Sequence, residues 1–155
     1  TASWTLQLPV PLEVPLSGSY SWTQSSFRTG FVSEFPQFGT VGVGDSLPYV
    51  PEHQGQGRAT LQHEQWSVSV GVTARSAMLN EAGGFPATDQ DIPPLVLVDA
   101  AAQVNLGESF TLYGTGTNLT NTRTVTSWRP YGARPTAPLL VMVGLKWRPP
   151  TSPEN

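Results

Sequence analysis

Between Phe110 and Trp147 the chain reads as two alternating runs around a loop rich in Arg, Pro and Gly. In the second run Leu139, Val141, Val143, Leu145 and Trp147 share one face, and Leu140, Met142, Gly144 and Lys146 share the other. Successive side chains of a strand point to opposite sides, so this run is a strand with one greasy and one mixed face. The same sense recurs upstream. Leu12, Val14, Leu16, Gly18, Tyr20 and Trp22 oppose Glu13, Ser17, Ser19, Ser21 and Thr23. Trp66, Val68, Val70, Val72 and Ala74 oppose Ser67, Ser69, Gly71, Thr73 and Arg75. Val96, Val98, Ala100, Ala102 and Val104 oppose Asp99, Gln103 and Asn105. Weaker alternation covers Gly57 to Gln62, and Phe110 with Leu112 opens a further strand. Ser3 to Leu8 supplies a partial one. The pattern predicts an antiparallel meander of about six to seven strands, with no stretch of sustained helical spacing.

The connections alternate in length. His63–Gln65, Leu106–Ser109 and Leu8–Pro11 are short; Phe27–Pro51, Ala77–Pro94 and Asn121–Ala137 are long. A meander then has all its short turns at one end and all its long loops at the other. That is the plan of a transmembrane β-barrel, with short periplasmic turns and long extracellular loops. Runs of roughly 9–12 residues suit a tilted crossing of a bilayer. Tyr20, Trp22, Trp66 and Trp147 fall at or near strand ends, where a membrane barrel carries its interfacial aromatic girdles. The competing expectation is a soluble β-sandwich binding module, in which the greasy faces pack on each other.

Composition narrows the choice. Only 12% of residues are charged, about half the usual share, and the remainder is rich in Ser, Thr, Gln, Gly and Pro. A polar-lined barrel fits that balance. The net charge is -3 with no Lys/Arg cluster, so a nucleic-acid partner is excluded. There is no cysteine, hence no disulfide or thiolate metal site. No apolar run reaches the ~20 residues of a membrane helix, which leaves a barrel open. The N-terminal residues lack the features of a signal peptide, so an exported protein would appear here as a mature product or a fragment.

Several short motifs then become specific. They are N-L-T-N-T-R at Asn118–Arg123, R-P-Y-G-A-R-P at Arg129–Pro135, and V-G-L-K-W at Val143–Trp147. Upstream stand F-R-T-G-F at Phe27–Phe31, F-P-Q-F-G at Phe35–Gly39 and G-D-S-L-P-Y-V-P-E-H-Q at Gly44–Gln54. In this order and spacing they resemble the C-terminal strands of TonB-dependent outer-membrane receptors, in particular the ferric citrate and siderophore receptor-like branch. The resemblance implies a barrel of about 22 strands around a plug domain, of which this chain supplies the last part. It implies an outer-membrane location, TonB engaged through the plug, and an iron chelate as ligand. Residues 1–148 would be the barrel portion and residues 149–155 a proline-rich tail. Arg148-Pro149 departs from the family, whose last strand usually ends in an aromatic residue. About six strands cannot close a membrane barrel, for which eight is the usual minimum. The implied partners are therefore the remaining barrel strands and the plug, along with outer-membrane lipid. A split-barrel or structural subunit that no longer transports is the alternative within the same resemblance.

The candidate chemistry is recognition. His53 and His63 share a face but sit about 33 Å apart along an extended strand, too far for one ion. Nothing resembles a nucleophile elbow. Gly42–Gly44 and Gly114–Gly116 lack the helix that a phosphate loop requires. The expectation is no enzyme, no metal and no cofactor. The ligand-binding candidates are Arg129, Tyr131, Arg134 and Arg123 in the last long loop. A guanidinium offers a planar fork of donors matched to carboxylates such as those of citrate or a carboxylate siderophore. Arg28, Arg58 and Arg75 are expected to line the lumen. Asn118-Leu-Thr matches a glycosylation sequon and is expected to be coincidental.

Overall fold

The computed structural model describes residues 1–7, 11–83 and 91–149. In chain order its strands are β1 (Ala2–Gln7), β2 (Glu13–Trp22), β3 (Phe31–Val32), β4 (Thr40–Val41), β5 (His53–Gln62), β6 (Trp66–Arg75), β7 (Leu95–Leu106), β8 (Phe110–Thr117), β9 (Val125–Ser127), β10 (Arg134–Pro135) and β11 (Leu140–Trp147). One antiparallel sheet of 7 strands runs β1-β2-β5-β6-β7-β8-β11. Each long strand pairs with the next in sequence, which is the meander that the alternation predicts. The partial first strand is β1, six residues long. The Leu8–Pro11 turn falls mainly on residues outside those described, as does the tail from residue 150.

Register fixes which side chains share a face. Leu16, Ala59, Val70, Ala100, Gly116 and Val141 form one row across six strands, each the partner of the next. Because the side-chain period is two, every residue of matching parity lies on that face. Its occupants are overwhelmingly Val, Leu, Ala, Gly and aromatic residues. Tyr20 and Trp22 stand at the loop end and Trp66, Phe110 and Trp147 at the turn end, with Trp4, the partner of Leu16, between them on β1. The opposite face carries Ser17, Ser19, Gln54, Gln56, Arg58, Ser69, Thr73, Asp99, Gln103 and Thr115. A strand of 10 residues such as β2, β5 or β6 is about 33 Å long. Tilted by about 40°, it crosses about 25 Å, the height of the apolar band of a membrane barrel.

A β-sandwich would bury the greasy face against a second sheet. Here Leu16, Val68, Val70, Val72, Leu112, Val141, Val143 and Leu145 all remain exposed. The other sheets are the two-stranded ribbons β3–β4 and β9–β10, both within the long connections. The sandwich expectation is therefore corrected: the sheet is a wall with two open faces. Near its last edge the Tyr113 ring covers Gly144, its cross-strand partner, where a Cβ would collide with the ring. Aromatic cover of an edge glycine pins the register of the final pair.

Burial is concentrated elsewhere. Among the described residues the buried hydrophobics are Val41, Met78, Leu79, Ile92 and Leu95. Four of these lie in the long connections, and Leu95 is the first residue of β7. The loops thus carry a small core of their own, seated on the loop end of the wall.

Candidate ligand-binding face at the loop end

Connection 23–52 folds back on itself through Phe27, whose N–H donates to Asp45 O at 2.9 Å and whose carbonyl accepts from Gly44 N–H at 2.9 Å. Phe27, Phe31 and Phe38 meet edge-on or tilted, with ring centroids 5.5 to 6.1 Å apart. Asp45 caps the bend by accepting from Gly42 N–H at 2.7 Å.

Connection 76–94 joins this fold by backbone bonds. Ser46 and Gly83 exchange two, at 2.8 and 3.3 Å; Tyr49 N–H donates to Leu79 O and Ala82 N–H to Gln37 O, each at 2.9 Å. Ile92, fully buried, pairs with Met78 through two further bonds at 2.9 and 3.0 Å. Asn80 is also buried; its N–H donates to Asp91 Oδ1 and its Oδ1 accepts from the Tyr49 hydroxyl. A buried amide is tolerable only when partnered in this way.

Connection 118–139 is organised by Asn118, which is 3% exposed and left-handed, with φ 50°. Its N–H donates to Asp99 Oδ1 at 2.8 Å. Its side-chain amide donates to Thr122 O at 3.0 Å and Ala137 O at 2.7 Å, while its Oδ1 accepts from Thr122 N–H at 2.9 Å. The first residue of the N-L-T-N motif is therefore the knot that ties both ends of the last loop. With its amide nitrogen bonded inside, it is no glycosylation acceptor in this fold.

The four candidates belong to the same loop, and among the described residues no hydrogen bond joins one to another. Arg129 is half-buried, and its Nη2 meets Glu81 Oε1 of connection 76–94 at 2.8 Å. Its Nε is buried with no partner. Ser127 Oγ steadies its backbone, donating to Arg129 O at 2.9 Å. Tyr131 is 93% exposed at the tip. Arg134 lies in β10 and Arg123 just before β9, both exposed. Among the described residues neither guanidinium nor the Tyr131 hydroxyl has a hydrogen-bonding side-chain or backbone partner. Glu81 and Asn80 are residues that sequence reasoning missed; their nearest signal was the adjacent apolar pair Met78-Leu79. Asn118 stood out only as the start of the N-L-T-N motif, not as a loop anchor.

Below the loops, the polar face of the wall forms a hollow of about 340 Å³ lined by Ser17, Gln56, Arg58, Thr73 and Asp99 among others. A second, of about 430 Å³, includes Gln54, Gln56 and Arg75. Arg58 and Arg75 thus stand on the polar face as expected, and Arg75 donates to Pro93 O at 3.4 Å. Arg28 does not: it lies exposed in connection 23–52, above the wall, because β2 ends at Trp22. His53 opens β5 and His63 follows its last residue. His53 Nδ1 bonds the Tyr20 hydroxyl at 2.7 Å, and His63 stacks on Trp66.

The sequence model of the family described as TonB dependent receptor-like, beta-barrel matches residues 1–119. The fold superposes on the siderophore receptor PiuA from Acinetobacter baumannii with a TM-score of 0.69 at 16% identity, covering 94% of this chain and 20% of that one. It superposes on the ferric-catecholate import receptor Fiu from E. coli K12, in its closed form, with a TM-score of 0.68 at 20% identity and the same two coverages. The chain accordingly spans 20% of the length of these solved receptors. Among curated proteins none matches.

Proposed function

This chain belongs to the TonB-dependent receptor-like β-barrel family, and from that premise we propose that it forms the C-terminal strands of a bacterial outer-membrane receptor importing a carboxylate-bearing iron chelate. The wall supports the membrane part of this reading. Its apolar face is continuous across the strands and carries aromatic residues toward both ends, as suits a lipid-facing surface. The edges β1 and β11 are the ends of the sheet. In hydrocarbon each unpaired N–H and C=O costs several kcal/mol, so further strands must close the ring. The partners of the chain are then the remaining strands, a plug in the lumen, TonB acting through that plug, and outer-membrane lipid. The family is one of receptors, and the chemistry here is recognition without catalysis.

One observation carries the choice of ligand: Arg129, the best-positioned candidate, already holds a carboxylate. Arg123, Tyr131 and Arg134 stand free nearby in sequence to contact a bulky anionic chelate. PiuA is a siderophore receptor and Fiu a ferric-catecholate receptor, and both ligand types share the anionic oxygens that suit arginine. Ferric citrate is the carboxylate chelate that the motif order suggests.

The test is radio-iron uptake by cells producing the complete receptor, from ferric citrate and from a ferric catecholate, with and without TonB. TonB-dependent uptake from ferric citrate is expected. Arg129→Gln should lower it by about 10-fold or more, since a hydrogen bond to a charged group contributes about 1.5–3 kcal/mol. A correctly assembled receptor that imports no iron chelate would end this reading.

A further inference from the structure

The three long connections are not joined equally. Connections 23–52 and 76–94 share four backbone bonds and the Tyr49–Asn80 side-chain bond. Connection 118–139 is anchored at its base to β7, through Asn118, Leu119 N–H to Val98 O at 2.7 Å, and Thr122 Oγ1 to Val96 O at 3.1 Å. Above that base, one polar contact among the described residues ties it to the other two: Arg129 to Glu81. The two side chains are 27% and 52% exposed. Such a pair is held weakly, by about 0–1 kcal/mol.

The geometry of the pair is also incomplete. A guanidinium can present two parallel donors to one carboxylate. Glu81 engages only Nη2 of Arg129, and Nε is left without an acceptor. A free carboxylate, not tethered to another loop, can take the two terminal nitrogens together, since Nη1 also has no partner among the described residues and, unlike Nε, is not enclosed. Glu81 thus occupies the arginine in the manner of a ligand, but with half its capacity used.

We propose that Glu81 is a built-in competitor for Arg129, and that a ligand carboxylate displaces it and so releases connection 118–139 from the other two loops. This rests on Arg129 being a ligand contact, as proposed above. Glu81 then sets a selectivity threshold. A ligand without an anionic oxygen leaves the latch closed. A carboxylate opens it at almost no net cost, because one ion pair replaces another.

The experiment uses the complete receptor in detergent, with ferric citrate as the probe. Ala133→Cys, exposed at the loop tip, can carry a spin label in a receptor freed of any other cysteine; these 155 residues contain none. The label should be constrained in the parent protein, and ferric citrate should mobilise it. Glu81→Gln should mobilise it without ligand and tighten ferric citrate binding by up to about 5-fold, the equivalent of the ~1 kcal/mol of an exposed pair. Arg129→Gln should free the label and weaken binding. If Glu81→Gln changes neither label nor affinity while Arg129→Gln still weakens binding, the competition is overturned and the ligand reading stands. If the parent binds no ferric citrate while Glu81→Gln still frees the label, displacement by ligand is overturned together with the ligand reading, and only the loop contact survives.

Discussion

The wall and the loop cap are built by opposite means. The wall has 7 strands and a regular ladder, yet among the described residues it buries one hydrophobic side chain, Leu95. Among the described residues the cap has two short ribbons, yet it holds Val41, Met78, Leu79, Ile92 and the amide of Asn80 out of solvent. Globular proteins place core and ladder together. On the proposed reading they are separated because the two regions answer to different solvents. A sheet whose greasy face meets hydrocarbon needs no protein partner there, and its polar face would meet the lumen. Loops projecting into water must bury their own apolar residues to hold a shape.

The sharpest way to break that contrast is to empty the cap. Ile92→Ala should cost about 2–5 kcal/mol of local stability, the transfer loss plus a cavity. Hydrogen exchange should rise across residues 23–52 and 76–83, while the strand amides stay protected. If the ladder lost protection too, cap and wall would be one cooperative unit and the contrast would fail.

Next in size is the wall's own solvent. Val70→Arg places a charge in the middle of the greasy face and is expected to cost about 2–4 kcal/mol in a bilayer. The neighbouring Ser69→Arg, on the polar face, should change stability by well under 1 kcal/mol, as surface substitutions usually do. The readout is folding of the complete receptor into lipid vesicles. Equal costs for the two faces would show that the greasy face does not meet lipid.

Asn118 joins the regions, and its loss should be intermediate. Asn118→Ala strands Thr122 N–H and Ala137 O, each a group whose missing partner costs about 1–3 kcal/mol when buried. Protease cleavage within residues 119–137 should accelerate, with the rest of the cap unaffected. Faster cleavage in connection 23–52 as well would mean that the third loop supports the other two.

The wall was readable from the chain and the cap was not, for a physical reason. Period-two alternation is local, so Val68, Val70 and Val72 reveal their shared face without any knowledge of neighbours. The sorting of short turns and long loops is equally local. The cap depends on pairs distant in sequence: Ser46 with Gly83, Tyr49 with Asn80, and Glu81 with Arg129. No periodicity encodes such meetings. The motif around Arg129 therefore gave no hint of the carboxylate that meets it, Glu81. Arg28 lies off the wall for a reason the chain did show: the alternation ends near Trp22, and Arg28 falls within the long Phe27–Pro51 connection.

The smallest expected effect concerns the seam between the regions. Tyr20 and Trp22 stand on the greasy face at the loop end, and their polar tips bond His53 Nδ1 at 2.7 Å and Glu52 Oε1 at 3.3 Å. An amphipathic ring at the bilayer boundary keeps its body in hydrocarbon and its tip in a polar layer. Tyr20→Phe removes the tip alone. The bond is exposed, so the loss should be no more than about 0.5–1.5 kcal/mol, the net worth of an ordinary hydrogen bond. Tyr20→Ala removes the ring as well and should cost more. The difference between the two, measured as thermal unfolding in lipid and again in detergent, separates the bond from the boundary. A seam set by the bilayer should lose the ring's contribution in a detergent that offers no defined interface. If the two substitutions differ equally in both media, the ring packs on protein, and the boundary between wall and cap lies nearer the strand centre than Tyr20.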